Sequence, residues 1–144
     1  MDLVIDANIV FSALISSEGK TSELLFSDNL KLHAPEFLFE EIFKYKEEII
    51  KKSKLSENDF NTSLTLISSR IKTKTFQEFK SNIKKAKEIS PDPKDIEYLA
   101  IAIKLNCPLW SNDKALKKQK AVKIISTSEL LEINEQNSSK INTN

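Results

Sequence analysis

This chain of 144 residues is poor in the residues on which several common kinds of site depend. It has one glycine, Gly19, whereas P-loops and dinucleotide-binding fingerprints need several, so both are excluded. It has one histidine, His33, which excludes multi-histidine zinc sites and catalysis by paired histidines. We expect His33 to be a strand residue with a hydrogen-bonded ring. Catalysis by this chain would therefore depend on carboxylates, hydroxyls, amides and lysines.

Cysteine and long apolar segments are also scarce. The single cysteine, Cys107, cannot form an internal disulfide, and its position beside Pro108 favours a buried thiol. No apolar run approaches the length of a membrane span, and the chain starts without the basic and apolar regions of a signal peptide. We therefore expect a cytoplasmic protein with no membrane segment.

Length and composition predict one ordinary globular domain. With 40% hydrophobic residues, the chain can build a substantial core. We place the domain at 1–134 and expect the polar segment 135–144 to be a disordered tail. The net charge of +1 does not by itself indicate a nucleic-acid-binding protein.

Short apolar runs alternate with segments of helical periodicity, which predicts an α/β fold with a parallel sheet covered by helices. Strands are predicted at 3–5, 30–34, 108–111 and 122–125. Helices are predicted at about 21–28, 36–51, 57–69, 77–89, 94–106 and 127–134.

Two aspartates follow predicted strands. Asp6 closes the run 3–5, and Asp113 closes the segment that begins at Pro108. Parallel sheets bind ligands outside the carboxyl ends of their strands, so both side chains would share one crevice if the two strands are neighbours. Taken singly, each aspartate is as well explained by a turn or a helix cap.

Two further acids lie on predicted helices. Glu41 has Phe37, Leu38 and Tyr45 at helical spacing, which places a carboxylate within an apolar stripe, whereas Glu40 belongs to a solvated face. Asp95 falls in the first turn of a helix, for which Asp92 is expected to be the N-cap. An oxygen-only set formed by Asp6, Glu41, Asp95 and Asp113 would favour Mg²⁺ or Mn²⁺.

These motifs together resemble the PIN-domain family, which includes the VapC-like metal-dependent ribonucleases. The resemblance covers about residues 2–130 and rests on four segments. They are Val4-Ile5-Asp6-Ala7-Asn8, the segment from Pro35 to Ile42, the segment from Asp95 to Ala102, and Leu109-Trp110-Ser111-Asn112-Asp113.

The resemblance implies a three-layer α/β/α sandwich around a parallel sheet. It also implies one or two divalent cations held by the four acids, hydrolysis of RNA phosphodiester bonds, and frequent homodimerisation. Many family members are toxins paired with an antitoxin protein. An RNA-processing or decay nuclease and a catalytically inactive RNA- or protein-binding module remain alternatives. A site of the haloacid-dehalogenase type would need a second aspartate where this chain has Asn8.

Several polar residues near these acids have two interpretations. Asn8, Ser111 and Asn112 either position water and phosphate or serve turns. Lysines follow Asp113 and end the helix of Glu41, where they either bind phosphates beside the cleaved bond or form solvated faces. These lysines are Lys51, Lys52, Lys54, Lys114, Lys117, Lys118, Lys120 and Lys123.

Overall fold

The computed structural model describes residues 1–16 and 19–142, and its centre is a sheet of five parallel strands. The strands are β1 (Asp2–Ile5), β2 (Lys31–Pro35), β3 (Ile71–Lys74), β4 (Leu109–Trp110) and β5 (Ile124–Ile125). Their order across the sheet is β3-β2-β1-β4-β5. Because all strands are parallel, the sheet has one carboxyl edge, where the strands end, and one amino edge, where they begin.

Nine α-helices connect and cover the strands of the described residues. They are α1 (Ala7–Ile15), α2 (Lys20–Leu25), α3 (Phe37–Lys44), α4 (Lys46–Ser53), α5 (Glu57–Ser69), α6 (Phe76–Phe79), α7 (Ile83–Ile89), α8 (Ile96–Leu105) and α9 (Thr127–Asn142). Short 3₁₀ helices occupy Lys80–Asn82, Pro93–Asp95 and Lys114–Lys118. The predicted α/β sandwich with a central parallel sheet is confirmed.

The core lies between the sheet and its helices. Leu3, Val4 and Ile5 of the central strand have no exposed surface, as is typical of a strand covered on both faces. Helix α8 packs against β1, β2 and β4, with α6 and α7 beside it. Helix α1 contacts α2, α3, α4 and α5. The start of α8 is thus fixed relative to the carboxyl edge, where the predicted acids lie.

The structure differs from the predicted elements at several places, and the predicted helix 77–89 is divided into α6, a 3₁₀ helix and α7. Helix α1 was not predicted because its sequence is apolar on nearly every side and shows no amphipathic pattern. Strand β3 was missed because, at the edge of the sheet, it buries only Ile71. The predicted helix 36–51 is two helices, since the chain changes direction at Tyr45, which ends α3 and precedes α4.

Helix α9 extends beyond the predicted end at residue 134. It continues to Asn142, through most of the segment that we expected to be a disordered tail. Residues 143 and 144 of that predicted tail lie outside the described residues. None of the helices described is long and apolar enough to cross a membrane.

Candidate functional site

The crevice predicted by the strand-end aspartates lies where the strand order reverses. From β1 the sheet extends to β2 on one side and to β4 on the other. Ile5 pairs with Trp110, and the backbone N–H of Asp6 donates to the carbonyl of Trp110 at 3.1 Å. The chain therefore leaves β1 and β4 side by side, and ligands of open α/β sheets bind at such a reversal.

Ser111 links the two strand-end aspartates. Its hydroxyl donates to Asp6 Oδ2 at 2.7 Å and accepts from the backbone N–H of Asp113 at 3.1 Å. Ser111 is 1% exposed and Asp6 8%, so this connection is held inside the protein. Burial raises the pKa of Asp6, the Ser111 hydrogen bond opposes that rise, and the nearby charge of Asp113 adds to it. Ser111 thus orients the Asp6 carboxylate, while burial and the charge of Asp113 disfavour the ionised form of Asp6.

Asp95 approaches the same place from the start of α8. Asp92 caps the preceding 3₁₀ helix by accepting from the backbone N–H of Lys94 at 3.0 Å, which confirms its predicted capping role. Asp95 is 4% exposed, and its Oδ2 has no hydrogen-bond partner among the described residues. Burial, followed by the charges of Asp6 and Asp113, raises the pKa of Asp95 to about 6. The charge of Lys94 opposes this rise, but Asp95 Oδ2 is left without a hydrogen-bond donor, which is costly for a buried carboxylate.

Glu41 completes the acidic group from α3. Its side chain is half-buried, and its pKa is raised by burial and by the charge of Asp6. Its neighbour Glu40 is exposed. The predicted difference between these adjacent glutamates is therefore present in the structure, because only Glu41 is directed into the molecule near Asp6.

These acids line a cavity of about 400 Å³. Three of the four predicted site residues, Asp6, Glu41 and Asp95, are on its wall. The other lining residues are Ala7, Asn8, Phe11, Ile15, Tyr45, Glu48, Ile49, Lys52, Lys94 and Tyr98. Asp113 is not on this wall, and its Oδ1 accepts from the backbone N–H of Ala115 at 3.0 Å. Its charge nevertheless acts on Asp6 and Asp95.

Tyr98 is a site residue that sequence reasoning did not single out. It is 3% exposed, packs edge to face on Phe37 with ring centroids 5.6 Å apart, and lines the cavity. Its hydroxyl has no hydrogen-bond partner among the described residues. Burial and the charges of Glu41 and Asp6 raise its pKa, so the hydroxyl is a neutral donor beside carboxylates. A single tyrosine within a predicted helix carries no sequence signal that separates a site residue from a core residue.

The polar residues with two interpretations are now placed. Asn8 is exposed and on the cavity wall. Asn112 instead joins the loop to α9: its Nδ2 donates to Thr127 Oγ1 at 3.0 Å, and its Oδ1 accepts from the Thr127 N–H at 2.8 Å. Ser111 orients Asp6 rather than facing solvent. Of the lysines, Lys52 and the unpredicted Lys94 line the cavity.

The donor set suits a hard divalent cation. All its candidate ligands are carboxylate oxygens, Asp95 Oδ2 is buried without a partner, and the acids raise one another's pKa. A bound cation would offset both the unpartnered oxygen and the mutual repulsion. As the side chains are placed, however, no three His, Cys, Asp or Glu residues in the described part of the chain are gathered closely enough to hold a metal ion.

Comparison with known proteins identifies the family and the fold. The family model described as PIN domain matches residues 4–135. The chain belongs to the PIN-domain family. This PIN domain is also similar in structure to a chain of VapBC2 from Rickettsia felis, crystallised with a DNA fragment from the VapBC2 promoter. The match has a TM-score of 0.61 and 17% identity, and it covers 88% of this chain and 98% of the other.

At that identity, the similarity to the Rickettsia protein concerns the fold alone. No curated protein matches the sequence of this PIN domain. The assignment of individual site residues therefore depends on the geometry around Asp6, Glu41 and Asp95.

Proposed function

We propose that this PIN domain is a Mg²⁺- or Mn²⁺-dependent endoribonuclease. The observation that carries the proposal is the acidic cavity at the reversal of strand order, where Asp6, Glu41 and Asp95 converge with raised pKa values. The nearby lysines and hydrogen bonds do not cancel the burial and mutual repulsion of these carboxylates, since all three pKa values remain raised, and such a group is costly in a domain that has no use for it. A catalytically inactive module would not need to retain them.

Asp6, Glu41 and Asp95 would hold the cation, directly or through water, with Asp113 as the fourth acid. When bound, the cation supplies an activated water and charge stabilisation for in-line attack on a phosphodiester. Ser111 keeps the Asp6 carboxylate in a fixed orientation through the bond at 2.7 Å. Orientation of an acidic ligand by a buried partner of this kind typically affects affinity or rate tenfold or more.

Other cavity residues fit a single-stranded nucleic acid. Lys52 and Lys94 are exposed and lie on the cavity wall, where Lys94, and Lys52 on exchanging its partner Glu48 at 2.9 Å, can contact phosphates next to the cleaved bond. Phe11 and Tyr45 meet edge to face at 5.8 Å on the same wall, and Tyr45 is 43% exposed. Exposed aromatic faces of this kind stack on unpaired bases.

The test is cleavage of unstructured RNA by the purified protein, with Mg²⁺, with Mn²⁺ and with excess chelator. We expect cleavage with either metal and none with chelator, and restored cleavage after metal is added back. Equal cleavage in chelator would contradict the metal mechanism. Absence of cleavage of diverse RNAs in either metal would favour the binding module instead.

We further propose that the nuclease is the toxin of a toxin-antitoxin pair. The support is family membership together with structural similarity to a chain of a VapBC complex. An antitoxin partner and homodimerisation are both part of this proposal. Co-expression with the product of a small adjacent gene should relieve growth inhibition caused by the nuclease alone. An RNA-processing nuclease would cleave RNA without being toxic or neutralised in this way.

A further inference from the structure

A second cavity, of about 690 Å³, lies at the amino edge of the sheet, beside the starts of β4 and β5. Pro108 and Lys123, on its wall, directly precede the two strands. The acidic cavity is at the other edge of the same sheet, where Asp6 follows β1. We call this second cavity the basic cleft, because its charged lining residues are Lys85, Lys117, Lys120 and Lys123, and no carboxylate of the described residues lines it.

The lysines converge on the basic cleft from separate segments. Lys85 belongs to α7, Lys117 to a 3₁₀ helix, and Lys120 and Lys123 to the loop before β5. Lys117 is paired with Glu129 at 2.5 Å, whereas Lys85, Lys120 and Lys123 form no ion pair within the described part of the chain. The sequence alone left the lysines after Asp113 as either phosphate contacts beside the cleaved bond or a solvated face, and the structure places Lys120 and Lys123 at the opposite edge of the sheet.

The loop that carries two of these lysines is held in one shape by Gln119. Its Nε2 donates to the carbonyls of Leu116 at 2.9 Å and Val122 at 2.8 Å, and its Oε1 accepts from the Val122 N–H at 2.9 Å. With the amide fully used in this way, Gln119 itself is no ligand. It fixes the loop backbone, so that Lys120 and Lys123 do not lose backbone freedom when an anion binds.

Between the lysines the cleft wall is aliphatic. Ile103 and Pro108 are both half-buried and face the cavity. Asn106, which also lines the cleft, ends α8 in the left-handed conformation with a φ of 50°. Ammonium groups around a partly apolar surface suit a ligand that has both phosphates and less polar sugar or base surfaces, rather than a small inorganic anion.

We propose that the basic cleft binds a segment of single-stranded RNA away from the cleaved bond. This rests on the proposed function for the identity of the nucleic acid. The longest strand, β2, has five residues, so the two edges of the sheet are at most about 17 Å apart along a strand. Single-stranded binding sites cover about 4–16 nucleotides, which is enough chain to extend over that distance. A flexible strand can follow the surface from one edge to the other, whereas a duplex is stiff over about 150 base pairs.

The test measures binding in excess chelator, so that it does not depend on cleavage. Fluorescence anisotropy with a labelled 20-nucleotide single-stranded RNA gives Kd over a series of salt concentrations. Lys85→Gln combined with Lys123→Gln removes two charges from the cleft. The matched control is Lys84→Gln combined with Lys72→Gln, because both lysines are exposed and neither lines a described cavity. Circular dichroism verifies that both variants fold.

We expect the cleft variant to bind RNA about tenfold more weakly near 0.1 M salt and the control variant within about twofold of wild type. The slope of log K against log salt should become shallower by about 1.4 in the cleft variant, since each phosphate contact to a single strand contributes about 0.7. Gln119→Ala should weaken binding in the same direction without changing charge. Equal losses in the cleft and control variants would overturn the proposal.

Competition identifies the ligand. Unlabelled single-stranded RNA should displace the probe, while inorganic phosphate and duplex DNA at equal phosphate concentration should not. Displacement by inorganic phosphate would indicate a simple anion site, and equal displacement by duplex DNA would indicate a general polyanion surface; either result overturns the RNA assignment. Binding that depends on the cleft in a protein that cleaves no RNA with metal would support the cleft and contradict the proposed nuclease function.

Discussion

At the carboxyl edge of the sheet, Asp6 and Asp95 are less than a tenth exposed, whereas at the amino edge Lys85 and Lys123 are exposed to solvent. The acids lie close enough to raise one another's pKa, and one of their oxygens has no partner. The lysines are spread around a larger cavity. Burial destabilises the ionised acids unless a cation is bound, whereas the lysines are solvated and their charges cost little free energy.

The two edges therefore differ in what a ligand must supply. A compact divalent charge satisfies the acidic cavity, and an extended series of phosphates satisfies the basic cleft. One RNA strand in contact with both edges would be cleaved at the first and held at the second. The following variants are ordered by the expected size of their effect. They test whether the acidic cavity binds a metal ion or is only a group of unfavourably buried carboxylates.

The largest effect is expected from Glu41→Gln, compared with its neighbour Glu40→Gln. Glu41 lines the acidic cavity, while Glu40 is exposed, so losing the first carboxylate should lower cleavage at least hundredfold and weaken Mn²⁺ binding. Glu40→Gln should remain within about twofold of wild type. Single-turnover cleavage and isothermal titration with Mn²⁺ measure both. If Glu40→Gln is the inactive variant, the assignment of the second acid to Glu41 is wrong.

The different surroundings of Glu41 and Glu40 could be predicted from the sequence, because helical spacing alone places them on different faces of the helix. The strand-end positions of Asp6 and Asp113 were likewise predictable, and β1 pairs with β4 as that prediction required, although Asp113 does not line the acidic cavity. Asp92 and Pro93 identified the start of the helix that carries Asp95. Each of these predictions uses local information, either the end of an apolar run or the position within a helical turn.

What the sequence could not show depends on tertiary packing. Tyr98 looked like an ordinary residue of its predicted helix, and only the structure brings its hydroxyl to the carboxylates. Lys94 and Glu48 reach the cavity because of the way their helices pack in the fold. No local sequence pattern predicts that packing. Lys120 and Lys123 follow the chain to the far edge because the loop must cross the sheet before β5 can begin parallel to β4.

A smaller effect is expected from Ser111→Ala. Without the hydroxyl, Asp6 loses a donor at 2.7 Å and the Asp113 N–H loses its acceptor, so cleavage should fall about tenfold and the free energy of unfolding by about 1 kcal/mol. Ser22→Ala is the matched control. Ser22 is also buried, and its hydroxyl donates to the carbonyls of Ala13 and Ser16 far along the chain from the acids.

The control should lose similar stability but retain wild-type cleavage. Chemical denaturation and initial cleavage rates under saturating Mg²⁺ separate the two consequences. Equal cleavage by the two serine variants would show that Ser111 supports the fold without orienting Asp6.

The pH dependence of stability tests the acids without any substrate. Asp95 has a folded-state pKa of about 6, above the unfolded value of about 3.9, so the folded protein binds the proton more tightly. Its contribution to stability is therefore complete below about pH 4 and is lost as pH rises through about 6. In metal-free buffer, Asp95→Asn should be more stable than wild type at pH 8 by about 1 kcal/mol, after allowance for solvent screening.

Urea unfolding at pH 4.5 and pH 8 measures this difference, and saturating Mg²⁺ should reverse its sign at pH 8 because the variant loses a ligand. The matched control is Asp92→Asn, which keeps the helix cap, since aspartate and asparagine cap about equally well. It should follow the wild-type pH dependence. If Asp95→Asn is instead destabilised at pH 8 without metal, the carboxylate already has a favourable partner.

The smallest effect is expected from Tyr98→Phe. The buried hydroxyl lacks a partner among the described residues, so its removal should raise the free energy of unfolding of the metal-free protein by about 1 kcal/mol while keeping the ring contact with Phe37. Tyr45→Phe is the control, because Tyr45 is 43% exposed and its hydroxyl can reach water; it should change stability by less than about 0.5 kcal/mol. Urea midpoints at constant slope measure both. A loss of about 1 kcal/mol in Tyr98→Phe would mean that the hydroxyl is already hydrogen-bonded in the folded protein, and that the acidic cavity is less strained than its carboxylates indicate.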